Sequence, residues 1–135
     1  MKTRISWIFY CLVSFMLLPS LSAAERNGFT WIQQGKAYPI LVDSQEDKGV
    51  LRAVANLQTD AGKVTGATPE IIHSPSGNRI LIVGSVENSS WIKQLVQAGK
   101  IPAADLKGKR EKYILQTVKQ PVEGVEEAIV IAGSD

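Results

Sequence analysis

The sequence predicts an α/β domain, a mixed sheet of five or six strands with two helices mainly on one face. Three observations carry this. A short strand, a polar turn and one long amphipathic helix run together from Pro39 to Gly66. The stretches RILIV (Arg79–Val83) and AIVIA (Ala128–Ala132) are runs of strand formers without polar alternation, the pattern of strands buried on both faces. Strand and helix patterns also alternate along the chain in the order β-α-β-β-α-β-β, which calls for a layered α/β arrangement.

The elements follow in order. Phe29–Ile32 is a short apolar segment, expected as a first strand at the sheet edge, and the turn QQGK follows it. Pro39–Val42 is a second strand, opened by a proline where one lost donor is tolerated. In the helix Asp47–Val64, residues Val50, Val54, Leu57, Ala61 and Val64 recur at steps of four and three, with Leu51 and Ala53 widening the stripe. Asp47 suits the positive helix end, Lys63 the negative end, and Gly66 a left-handed stop. Thr68–His73 is a short strand, ended by the turn Ser74-Pro75-Ser76-Gly77-Asn78. Gly84-Ser85 ends RILIV, Asn88 or Ser89 caps a second helix Ser90–Ala98, and Gly99 closes it. Lys100–Lys112 is a polar connector, Tyr113–Val118 a further strand, and a turn through Pro121 and Gly124 leads into AIVIA.

Residues 1–24 read as a secretory signal peptide: two positive charges in Met1–Arg4, an apolar run Ile5–Leu18, then small residues, with cleavage expected after Ala24. Lys2 and Arg4 leave with it, so the 15 basic side chains fall to 13, against 13 acidic ones. The exported part, residues 25–135, is then neutral, which removes the electrostatic case for nucleic acid or for an anionic membrane after signal cleavage. Cys11, the single cysteine, lies in the leader, so the exported part has no disulfide. The expected location is secreted or periplasmic.

The site candidates each have a plain reading beside them. Gly84-Ser85, between strand and helix, is where α/β proteins hold anions on backbone amides, yet neither a G-x-G-x-x-G nor a P-loop pattern accompanies it. Asp43, Glu46 and Asp47 could pair as an acid and a base; at a helix start, capping is the better account. Glu123, Glu126 and Glu127 read as solvated turn residues. Ser44, Ser85 and Ser134 lack a histidine partner in a recognisable arrangement, and His73, the only histidine, reads as a surface imidazole. Trp31 and Trp91 could stack on a sugar, although a tryptophan on an amphipathic helix is more often core. Asn88-Ser89-Ser90 matches an N-glycosylation pattern or, equally, a cap. We therefore assign no catalytic, cofactor-binding or metal-binding residue and expect no cofactor.

Two helices do not easily cover both faces of RILIV and AIVIA, so one sheet face is expected to stay open or to carry another domain. The abrupt end IVIAGSD suggests a piece of a longer polypeptide.

The succession PILVD (39–43), VLRAVANLQTD (50–60), KVTG (63–66), ILIVGS (80–85), DLKGKRE (105–111) and VEEAIVIAGSD (125–135) resembles the N-terminal domain of glycoside hydrolase family 115, the xylan α-glucuronidases. The resemblance spans residues 29–135. It implies a non-catalytic accessory domain of a secreted α-glucuronidase-like hydrolase, packed against a catalytic (β/α)8 barrel of the same polypeptide. The carboxylates that hydrolyse glucuronoxylan would lie in that barrel. The alternative is an independent exported module that binds carbohydrate or another small ligand at Gly84-Ser85 or Trp31. A self-sufficient small enzyme ranks last.

Overall fold

The computed structural model describes residues 28–102, 104 and 106–134. The expected signal peptide lies outside the described residues. An antiparallel pair comes first, β1 (Ile32–Gln33) with β2 (Lys36–Ala37), followed by β3 (Ile40–Val42), α1 (Lys48–Thr65) and β4 (Ile71–Ile72). Then come β5 (Arg79–Ser85), α2 (Ser90–Gln97), β6 (Tyr113–Lys119) and β7 (Glu127–Gly133). The main sheet has five strands in the order β4-β3-β5-β7-β6, with β6 antiparallel to β7 and the others parallel.

The α/β class and the mixed sheet agree with the sequence reading; the first strand does not. The segment around Trp31 forms its own hairpin instead of a sheet edge. Gln34 (φ 51°) and Gly35 (φ 74°) both turn left-handed, which suits a two-residue hairpin and closes the pairing on itself. Trp31 then lies against the core beside α1, with its indole Nε1 donating to the Tyr38 carbonyl at 2.8 Å.

The shared helix face is also corrected, because the two helices lie on opposite faces. Val50, Val54 and Leu57 of α1 pack with Ile40, Val42, Leu81 and Val83; Ile92 and Leu95 of α2 pack with Leu41, Ile80 and Ile82. The sets alternate along β3 and β5, so each strand is covered from both sides. The cause is topological. From β3 the chain steps through α1 to β4 on one side; from β5 it passes through α2 toward β7 on the other. Right-handed crossovers running in opposite directions place their helices on opposite faces.

α1 ends as its sequence dictates. Asp47 Oδ1 accepts from the Gly49 N–H at 2.6 Å, and Gly66 (φ 74°) closes the last turn by donating to the Gly62 carbonyl. Under α2 the core is extended by Ile101 and Leu106 of the connector, so that face is roofed out to Val118 on β6. On the α1 face the roof stops short. Ile129 and Ile131 of β7 are half-buried, while Leu115 and Tyr113 of β6 are 63% and 70% exposed. Among the described residues, therefore, neither face is left open as a whole. The uncovered area is one strip over the β6–β7 half of one face.

Candidate functional site

The strand order reverses between β3 and β5, and in open α/β sheets the crevice beyond the carboxyl ends at such a point is the usual ligand position. β3 delivers Asp43 and the loop to Asp47 there; β5 delivers Gly84 and Ser85 and leads into α2. The structure thus joins two features that sequence reading kept apart, the carboxylates Asp43 and Glu46 and the Gly84-Ser85 turn.

Glu46 is 5% exposed and Ser85 is fully buried. The Ser85 backbone N–H donates to Glu46 Oε1, and the Ser85 hydroxyl lies 3.3 Å from Oε2. Ser85 Oγ in turn accepts from the Asn88 N–H at 3.1 Å. The amide that could hold an external anion therefore holds the chain's own carboxylate. Asp43 does the same one turn along. Its Oδ1 accepts from the Gln45 N–H, and its Oδ2 accepts from the Ser90 N–H at 2.9 Å and from the Ser90 hydroxyl. The Ser90 hydroxyl, followed by the Gln45 and Ser90 amides, holds the Asp43 carboxyl below its usual range, and burial only partly opposes this. Asp43 thus satisfies donors at the start of α2, where the helix favours negative charge, while Glu46 satisfies the amide at the end of β5.

Asp47 caps α1 and takes no part in this cluster. Ser89, not Asn88, is the cap of α2, its hydroxyl accepting from the Ile92 N–H at 3.2 Å. Gly84 allows the close approach: a Cβ there would lie 2.6 Å from Ser89 Cβ and 3.1 Å from Ile92 Cγ1. Sequence reading missed this role. The available signal was a glycine within an otherwise β-branched strand, which marks close backbone approach.

The other candidates scatter. Ser134 exchanges hydrogen bonds with Lys112, its N–H donating to the Lys112 carbonyl and its hydroxyl accepting from the Lys112 N–H. His73 is exposed and donates from Nδ1 to the Val42 carbonyl at 2.9 Å. Glu127 corrects its reading as a solvated turn residue: it opens β7 and pairs with Arg79 at 2.6 Å, whose guanidinium lies 5.3 Å from the Phe29 ring centroid. Glu123 and Glu126 are exposed. They border an open groove of about 980 Å³ at the opposite end of the sheet, between Lys100, Lys119 and Pro121. Trp91 is half-buried against the α2-side core.

Among the described residues no three His, Cys, Asp or Glu side chains stand close enough to hold a metal ion, and no helix is long and apolar enough to cross a membrane. Chemically, the cluster at the switch point can hold two loops and a helix start together.

No protein-family model and no curated protein sequence matches the chain. Among solved structures it is similar to part of a family 115 4-O-methyl-α-glucuronidase with specificity for decorated arabinogalactans. The TM-score is 0.60 at 30% identity, and the match covers 77% of this chain. The chain spans only 12% of that protein's length, so its fold is similar to one piece of a much larger glycoside hydrolase.

Proposed function

We propose that residues 25–135 form a non-catalytic N-terminal accessory domain of an exported glycoside hydrolase of the α-glucuronidase type. In this reading residues 1–24 direct export, and the domain buttresses a catalytic barrel of the same polypeptide. The single observation that carries it is the likeness of this fold, at 30% identity, to a segment amounting to 12% of a family 115 4-O-methyl-α-glucuronidase. The use of Asp43 and Glu46 as internal hydrogen-bond acceptors agrees with it, because neither carboxylate stands free for acid–base work. The substrate assigned to the parent enzyme is glucuronoxylan. A uronate-decorated arabinogalactan is the second reading, favoured by the specificity of the similar enzyme.

The test is the transcript beyond codon 135, followed by expression of its whole product. The expected product encodes a barrel, starts at Glu25 after export, and releases 4-O-methylglucuronate from glucuronoxylan or arabinogalactan. A stop codon directly after Asp135 overturns the proposal. Saturable quenching of tryptophan fluorescence by xylo-oligosaccharides would then support the independent binding module.

A further inference from the structure

The two edges of the main sheet differ. β4 has two residues, and Pro69 and Pro75 flank it, so that edge is blunted. β6 is seven residues long, and its only charged residue is the terminal Lys119. Its ladder to β7 fixes which backbone groups point outward. Gln120 donates to the Glu126 carbonyl and Ser134 to the Lys112 carbonyl, so even-numbered residues bond inward to β7. The N–H and C=O groups of Tyr113, Leu115, Thr117 and Lys119 therefore face away from the sheet. Among the described residues, no hydrogen bond reaches these outward groups. All four side chains are exposed as well. A long, unguarded edge of this kind is a template for another strand.

We propose that this edge pairs antiparallel with the same edge of a second copy, about a two-fold axis at Gln116, to make one continuous ten-stranded sheet. The inference is independent of the glycosidase reading. The register follows from the strand itself, since it alone engages all four outward residues. A shift one way brings in Glu111, whose φ of 52° takes it out of the strand conformation, and a shift the other way brings in Pro121, which has no donor. In the chosen register Tyr113 faces the second copy's Lys119, and Leu115 faces its Thr117. On the other side of the sheet Ile114 faces Val118, and Gln116 meets itself. No like charges oppose each other, apolar residues meet across the α2-side face, and the aromatic–cation pair is repeated by symmetry.

A cysteine scan tests the register. Gln116 meets its own copy at a non-hydrogen-bonded position, where Cα atoms lie about 4.5 Å apart, within the range a disulfide spans. In a Cys11→Ser background, Gln116→Cys is expected to form a covalent dimer on mild oxidation, and Thr117→Cys to lag well behind it. Light scattering on the parent chain is expected to show a dimer that dissociates on dilution. Leu115→Pro, which removes one outward N–H and no bond to β7, is expected to yield a folded monomer by circular dichroism. A monomer at every concentration overturns the proposal, as does equal crosslinking at both positions. If the product of a longer transcript is monomeric and Gln116→Cys does not crosslink in it, another segment of that polypeptide holds the edge and the proposal fails.

Discussion

Glu46 is the residue whose removal best separates a structural latch from a ligand or catalytic site. Its carboxylate is buried at 5% exposure and accepts from the Ser85 N–H, itself at a fully buried residue. Glu46→Ala deletes a charge-assisted hydrogen bond and leaves a buried amide donor beyond the reach of water. Together these cost about 2–4 kcal/mol, taking a charged hydrogen bond and an orphaned donor as overlapping contributions. For a domain of this size each kcal/mol lowers Tm by about 4 °C, so the expected fall is about 8–16 °C. Glu46→Gln keeps an acceptor for the amide and can donate to Ser85 Oγ, so its loss should stay near 1 kcal/mol. Thermal unfolding followed by circular dichroism, with urea midpoints as a cross-check, reads both variants. If Glu46→Ala melts at or above the temperature of the parent chain, the latch reasoning is refuted. That outcome is the signature of a functional carboxylate held at a cost to stability.

Two further perturbations probe the same end of the sheet. Gly84→Ala places a Cβ 2.6 Å from Ser89 Cβ and 2.7 Å from Ser89 Oγ, forcing α2 or its cap outward; the urea midpoint should fall by an amount equivalent to about 1–3 kcal/mol, and an unchanged midpoint would show that α2 does not need this close approach. For Asp43 the sign follows from its lowered folded pKa. Between that value and the unfolded value the unfolded chain binds more protons, so the contribution is present above about pH 4 and is lost as pH falls through the folded pKa. Asp43→Asn should therefore flatten the decline of Tm on the acid side, and an unaltered slope would remove Asp43 from the acid-labile set.

The long-range periodic elements were legible in the sequence, and what depended on chain direction was not. α1 could be read because its apolar stripe, its Asp47 cap and its Gly66 stop are all local signals. RILIV announced two-sided burial, which holds at Ile80, Leu81 and Ile82. AIVIA announced the same, but it is buried on one side only, at Ala128, Val130 and Ala132, while Ile129 and Ile131 on the other side stay half-buried. The opposite placement of the helices was not legible, since it follows from the order β4-β3-β5-β7 and no local pattern encodes which neighbour a strand chooses. Phe29–Ile32 misled because its aromatic and branched residues suit a strand, while Gln34, a residue not typical of left-handed turns, closes the hairpin instead. The contact between Glu46 and Ser85 spans 39 residues of sequence. Each half was visible as a cap or a turn, and only the topology brings them together.

That contact also limits what this end of the domain can bind. An external uronate carboxylate approaching the Ser85 amide must displace Glu46, which is tethered to the same loop system and acts at an effective concentration of order mM or higher. It would also have to replace two interactions with Ser85 at once, the amide and the hydroxyl. A free sugar acid with a single carboxylate and ordinary affinity does not win that competition. The Asp43–Ser90 contact closes the adjoining start of α2 in the same way. Under the accessory-domain proposal, the part this end plays is to hold β3, β5 and α2 together. Contact with a polysaccharide would have to come from side chains outside the switch point, such as those rimming the groove at Lys100 and Lys119.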